Sequence, residues 1–384
     1  MNILHIHQDY PDGRPYPITK AVSNLIDACL ELKPDDTHTV VSINRTSNPF
    51  KISVKPFEQG FSFVYWAIPL PFIYYWTMKL SAYLVYRKIK HLPVDFIHGH
   101  KLTCEGVFAY WLSKKINKPY VLSIRGGSDI HNIKRLSVHN QFFVEVFTQA
   151  SQIFWVSAWA KKIIKVLLPI DKSRVESTPL LPNICNLDLT YKQKKAEQRN
   201  CYVTAISYHQ YKRKGIPQLI QAISLLKQQG KLIQLDIYGS GKPQFKAEIE
   251  KLISKYQLQA EVILKGQIEQ KELLVAMGNA KGFLMPAINE TFGMAYVEAL
   301  SVGCPVLYVG NTGVDGYFET YPVGEKIQIV NVESLLTSIE KMDVNNELLC
   351  NTLAKQQNNS DLIRFTSSYV AKEYLALLVK KYNV

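Results

Sequence analysis

The chain has 384 residues, 47% hydrophobic and 20% charged, with a formal net charge of +13. That length exceeds what one ordinary core fills and predicts two domains of roughly 180 residues each, while the composition excludes a disordered chain. The positive charge calls for an anionic partner: a nucleic acid, a phosphorylated substrate or an anionic membrane leaflet. Without zinc-finger spacing, an aromatic RNP-like motif or an arginine-rich helix, nucleic acid is set aside.

Six cysteines (Cys29, Cys104, Cys185, Cys201, Cys304, Cys350) show no C-x-x-C spacing, which argues against a zinc site or disulfide framework and for core residues in a reducing compartment. The chain opens on a strand-like Asn2–His7 with no signal-peptide pattern, so a cytoplasmic location is expected.

In chain order, Ile3–His7 predicts a first strand, and Asp9–Pro17 (DYPDGRPYP) the loop beyond it. Gly13 in that loop would let the backbone approach a phosphate, although Pro11-Asp12-Gly13 equally suits a plain turn. A strand at Thr39–Ile43 precedes residues 61–86, which are dense in tyrosine, tryptophan and phenylalanine and lead into Arg87-Lys88-Ile89-Lys90. Pro69, Pro71 and Lys79 break any clean apolar span. Two readings stay open for this stretch, interfacial docking on an anionic membrane and a buried loop and helix lining an acceptor cleft.

Further strands are expected at Asp95–His98, Tyr120–Ile124, Ile153–Ser157 and Val175–Leu180. His98 and His100 have metal-ligand spacing, but with no third ligand in view they are read as structural, and no metal is expected. Arg125, at the end of the Tyr120–Ile124 strand, can stabilise anions or orient an acceptor but cannot relay a proton near neutrality; it can equally pair with Asp129. The polar run Tyr191–Asn200 (YKQKKAEQRN) is the linker candidate.

The second half repeats the alternation with strands at Tyr202–Ile206, Ile233–Tyr238, Val262–Lys265, Gly282–Met285, Val306–Val309 and Ile327–Val330, and helices at Pro217–Gln229, Gln244–Tyr256 and Lys271–Ala280. Alternation of this kind predicts parallel βαβ architecture. Lys212-Arg213-Lys214-Gly215 then lies in the loop after a strand, where cations suit a diphosphate. Tyr238-Gly239-Ser240-Gly241 ends another strand but lacks the third glycine of a dinucleotide fingerprint. A last helix, Ser367–Tyr382, follows an irregular stretch at Gln356–Asp361.

Asn289–Val306 (NETFGMAYVEALSVGCPV) carries the most chemistry. Pro286 ends an apolar strand, Glu290 lies beyond it, a helix starts near Phe292 or Gly293, and Gly303 stops it. In an open parallel sheet, ligands bind beyond the strand carboxyl ends, and a helix start there favours an anion such as a pyrophosphate. Glu298 lies a turn or more inside an otherwise apolar helix, so its carboxylate needs donors, which the hydroxyls of a sugar supply. A solvated acid at a helix start is the plainer reading of the same residues.

These residues resemble the E-x7-E motif of the retaining glycosyltransferases of family 4, E-G-F-G-x-x-x-x-E-A-x-x-x-G-x-P-V. Glu290, Phe292, Gly293, Glu298, Ala299, Gly303, Pro305 and Val306 match, and Thr291 replaces a glycine. Lys214 and Gly215 match the end of that family's G-R-x-x-x-x-K-G segment, whose arginine is replaced here by Tyr208 or His209. Arg125 stands where many members carry a histidine.

The resemblance implies an α/β GT-B fold: two Rossmann-like, doubly wound parallel-sheet domains facing a central cleft. An acceptor-binding domain would span 1–184, with the terminal helix 367–384 crossing back to it, and a donor-binding domain 185–366. It implies Glu290 beside the donor sugar as a catalytic residue with Arg125. The donor would be held by Gly13, His209, Arg213, Lys214, Gly239, Phe292, Gly293 and Met294, and its ribose by Glu298. The expected activity is metal-independent transfer, without a cofactor, from a UDP- or GDP-linked sugar to a lipid-linked or cell-surface polysaccharide intermediate, at the inner face of the cell membrane. A nucleotide-sugar epimerase and a catalytically silent membrane-associated binding subunit are the rival expectations.

Overall fold

The computed structural model describes residues 1–14, 19–68, 70–356 and 360–382. Pro15–Pro17, Pro69 and residues 357–359 of the expected loops lie outside these. The chain divides into one unit of Met1–Ile184 with Ser367–Val384, and a second of Cys185–Thr366.

The first unit is built on seven strands: β1 (Asn2–His7), β2 (Thr37–Thr46), β3 (Ser53–Phe57), β4 (Gly60–Trp66), β5 (Phe96–Gly99), β6 (Tyr120–Ile124) and β7 (Gln152–Trp155), in the order β3-β4-β2-β1-β5-β6-β7. All pairings are parallel except that of β3 with β4. The chain winds outward from β1 and returns to lay β5 beside it, so the switch point falls between β1 and β5. One face is covered by Pro71–Ile89, Glu105–Ile116 and Asn140–Gln149, through Met78, Val85, Phe108, Phe143 and Phe147. On the other, the terminal helix Ser367–Tyr382 packs beside Ala21–Leu32, burying Val370, Ala371, Tyr374 and Leu378 with Leu25 and Cys29.

Two expectations fail here. Val175–Leu180 is not a strand: Asp171 caps a short helix, Lys172–Ser177, by accepting from the Ser173 N–H at 3.0 Å, and only Leu180 reaches the sheet, through a single bridge to Trp155. The aromatic stretch 61–86 begins as a strand, since β4 pairs along its length with β2 and turns back on β3. β-branched and aromatic residues favour a pleated surface, a preference that the aromatic density of the stretch obscured.

The second unit carries β8 (Tyr202–Ala205), β9 (Leu235–Tyr238), β10 (Val262–Gly266), β11 (Gly282–Leu284), β12 (Val306–Val309) and β13 (Gly324–Ile327), all parallel, in the order β10-β9-β8-β11-β12-β13. Its switch point lies between β8 and β11. The edge strand β13 starts three residues earlier than Ile327–Val330 because an edge tolerates the polar Glu325-Lys326 pair. The polar run 191–200 is no free linker. Its Arg199 is buried and donates to the carbonyls of Lys194, Ala280 and Gly303, fastening the run to the second unit.

Candidate functional site

A crevice of about 510 Å³ opens beyond the carboxyl ends of β8, β9, β10 and β11 in the second unit. Its floor comes from the strand ends, through Ile206, Ser207, Gly239 and Met285, and its wall from the start of the helix Met294–Ser301. The arrangement has a topological cause: adjacent connections diverge at a switch point and leave a gap there.

Lys214 and Glu290 meet at the mouth of the crevice, Nζ to Oε2 at 2.5 Å, with both side chains largely buried. Arg213 stands 3.8 Å from the same carboxylate oxygen and donates to Gln210 Oε1 at 2.8 Å. Burial lowers the Lys214 pKa, the Glu290 carboxylate opposes that, and neighbouring Arg213 adds to it. Two cations thus share one carboxylate, leaving net positive charge that a phosphate group would neutralise.

Gly293 caps the helix at φ 76° with no side-chain cap; the Tyr296 N–H turns back to the Gly293 carbonyl at 3.0 Å, which leaves the amides of Met294 and Ala295 as the helix start's donors without an intrahelical acceptor. A Cβ on Gly293 would stand 2.4 Å from the buried Tyr296 ring, so both conformation and space demand glycine. Gly239 is equally constrained: at φ 136° its Cβ would meet the Ile206 carbonyl oxygen at 1.8 Å. Glu298 lines the crevice one turn along the helix. Burial raises its pKa above the ordinary glutamate value, against the Gln270 side chain and the Asn186 amide, which lower it.

Lys214, Gly239, Glu290, Gly293, Met294 and Glu298 all line this crevice, with Arg213 at its rim. His209 and Phe292 do not. His209 is exposed, its ring 6.4 Å from that of Phe245. The Phe292 side chain is buried against Tyr317 and Phe365, where it anchors the loop after β11. Lys212 also turns aside, over the Tyr211 ring at 5.5 Å. Ser207, Gln210, Gln270 and Leu273 are lining residues that the motifs did not single out; Ser207 lies two residues beyond the end of β8, the one signal that pointed to it.

Gly13 and Arg125 belong to the first unit. Gly13 has φ 89° and open space around its Cβ position. Arg125 is held by Asn183 Oδ1, which accepts from its Nη1 at 2.8 Å, while its Nε has no hydrogen-bond partner. Burial lowers its pKa to about 10. It makes no ion pair with Asp129, whose Oδ1 instead accepts from the N–H groups of Leu102 and Thr103 and the Thr103 hydroxyl at 2.9–3.0 Å.

Sequence spacing showed no third partner for His98 and His100, yet the fold brings His5 to them, one ring nitrogen from each within 4.8 Å. All of their ring nitrogens but the buried His100 Nδ1 have hydrogen-bond partners. His5 pairs with His100 at 3.0 Å and His38 at 2.9 Å, and His98 with Tyr374 Oη and Ser123 Oγ at 2.8 Å each. Beside them Glu105 ion-pairs with Lys101 at 3.0 Å and faces His7 at 3.6 Å.

Two doubly wound units, one with cations and an uncapped helix start converging beyond its switch point, define the GT-B fold class. Residues 190–360 match the family model described as Glycosyl transferases group 1. It is 26% identical over 200 residues to the amylovoran biosynthesis glycosyltransferase AmsK of Erwinia amylovora, covering 50% of this chain and 47% of that protein. It is 22% identical over 293 residues to the phosphatidylinositol N-acetylglucosaminyltransferase gpi3 subunit of Schizosaccharomyces pombe, covering 74% and 61%. The chain thus spans about half the length of the curated relatives it matches. Among solved structures, Anabaena Alr3699/HepE in complex with UDP-glucose superposes with a TM-score of 0.65 at 18% identity, covering 99% of this chain and 100% of that one.

Proposed function

We propose that the protein is a retaining glycosyltransferase that moves a sugar from a nucleoside-diphosphate donor to a lipid-linked or cell-surface glycan acceptor. The observation that carries the reading is the Lys214–Glu290 pair beside the uncapped start of Met294–Ser301, with Glu298 one turn further in. UDP is favoured as the carrier because HepE, of the same fold, is seen with UDP-glucose. AmsK supports a polysaccharide product and the gpi3 subunit a lipid acceptor.

In this reading Glu298 accepts from the ribose hydroxyls, and the helix amides and Lys214 hold the diphosphate. The bond from the sugar's anomeric carbon to the phosphate oxygen breaks, its electron pair leaving with the phosphate. The acceptor hydroxyl bonds to the same face and passes its proton to the departing phosphate oxygen. Lys214 and Arg213 stabilise the charge that develops, so the chemistry asks for no divalent metal. Glu290 orients the sugar. Arg125 serves the acceptor side, and the enzyme works in the cytoplasm beside the membrane.

Thermal shift against UDP-, GDP- and ADP-sugars tests the reading. A ligand at about 100 times its Kd adds roughly 2.7 kcal/mol of stability; no response to any of them overturns it and leaves a silent binding subunit. Donor turnover without any acceptor, yielding an isomerised donor, would instead identify an epimerase.

A further inference from the structure

The helix Pro71–Ile89 is apolar on two opposite sides. Its inner row, Met78, Ala82, Val85 and Ile89, is buried in the first unit's core. Its outer row, Phe72, Trp76, Leu80 and Tyr83, has the same helical spacing yet stands 82%, 65%, 56% and 44% exposed. Arg87 continues the row. Beside it a groove of about 540 Å³ runs to the helix Glu105–Ile116, lined by Trp76, Tyr83, Trp111 and three lysines. Lys79 Nζ stands 4.7 Å from the centre of the Trp111 ring and 5.6 Å from that of Trp76, and Lys115 Nζ 5.7 Å from that of Tyr83.

The charge here is of one sign. No aspartate or glutamate occurs between Gln59 and Val94, nor between Gly106 and Ser128. An exposed row of large apolar groups marks an interaction site, and tryptophan and tyrosine interleaved with lysine match the headgroup layer of a membrane. Among the described residues no helix is long and apolar enough to cross one, so the fit is to its surface. A second copy is a poor occupant, because a two-fold contact sets the same patch against itself and would bring Lys79, Lys114 and Lys115 of both copies together.

We propose that the outer row of Pro71–Ile89, with Trp111, Lys114 and Lys115, docks the protein on an anionic phospholipid bilayer. This gives a site to the membrane-side placement proposed above and rests on that reading only for its purpose.

The full chain, sedimented with phosphatidylcholine vesicles with and without phosphatidylglycerol, should bind the anionic ones preferentially, less so at high salt, with blue-shifted tryptophan emission. Lys114→Gln/Lys115→Gln should lower partitioning roughly tenfold or more, and Trp76→Glu/Leu80→Glu should abolish it. Both positions are at the surface, and an unchanged thermal midpoint and UDP response verify folding in each variant. No vesicle binding, or binding that both variants retain, overturns the proposal even if UDP binds. Loss of a dimer in the Trp76→Glu/Leu80→Glu variant, without any vesicle binding by the parent, assigns the face to a second copy and also overturns it. Vesicle binding without any UDP response leaves docking standing and sinks the transferase reading instead.

Discussion

Lys214 Nζ lies 2.5 Å from Glu290 Oε2, across 76 residues of sequence, joining the loop after β8 to the loop after β11. The pair sits at the second unit's switch point, so a phosphate entering the crevice meets a cation already oriented by a carboxylate. Preorganisation of this kind lowers the reorganisation needed when charge develops on a leaving group.

Replacing Lys214 by methionine keeps most of the side-chain volume and removes the charge. UDP affinity, measured by titration calorimetry, should fall roughly tenfold or more, and turnover by about 10²–10³. Glu290→Gln should lower turnover while leaving UDP affinity within a few-fold. Undiminished UDP affinity in Lys214→Met would falsify the diphosphate site.

Gly293→Ala tests the helix start. Alanine must adopt φ 76° and place a methyl group 2.4 Å from the Tyr296 ring and 3.2 Å from Glu290 Cγ. The left-handed backbone costs roughly 1–2 kcal/mol and overpacking typically about 1–3 kcal/mol more. Chemical denaturation should show a loss in that range, with weakened UDP binding; a variant as stable as the parent would contradict the geometry.

How far the sequence revealed this site depends on which contacts are local. Glu290, Gly293 and Glu298 share one loop and helix, so their spacing carried the geometry. Lys214 could be placed because a cation after a parallel strand faces the same crevice as any other strand end. The Phe292 side chain was not legible in the same way, because a motif position does not say whether a side chain faces the crevice or the core; here Tyr317 and Phe365 claim it. The third histidine, His5, became visible only through strand order, since β1 and β5 are adjacent in the sheet and far apart in sequence. The antiparallel β3–β4 edge was hidden for another reason: its aromatic alternation runs directly into that of the following helix.

Glu298 gives a pH signature. Burial raises its pKa in the folded protein above the ordinary value of 4.5. Between those two values the native state binds more protons than the unfolded chain, so stability falls as pH rises through that window and the cost persists at neutrality. Glu298→Gln removes the charge and should be at least as stable as the parent at pH 7, the difference closing as pH falls toward 4.5. UDP affinity should nevertheless drop, because a ribose hydroxyl loses its carboxylate acceptor. Thermal melts over pH 4.5–7 with and without UDP separate the two effects; a less stable Glu298→Gln at pH 7 would contradict the assignment.

The first unit should be acid-sensitive through its histidines. Burial lowers the pKa of His7 and His38 to about 4 and holds those of His5, His98 and His100 well below the ordinary 6.5. The charged groups nearest them are Glu105, Lys101 and Arg125, with Asp36 near His38; the carboxylates favour protonation, while the cations oppose it. Below pH 6.5 the unfolded chain takes up protons that the folded one refuses, so stability present at pH 7 is lost as pH falls toward 4. Each histidine contributes a slope of up to about 1.4 kcal/mol per pH unit. Denaturation midpoints should therefore fall steeply from pH 6.5 to 5, and His38→Gln, at the edge of the network, should flatten that slope by up to one proton. An unchanged slope in His38→Gln would show that this ring titrates alike in both states.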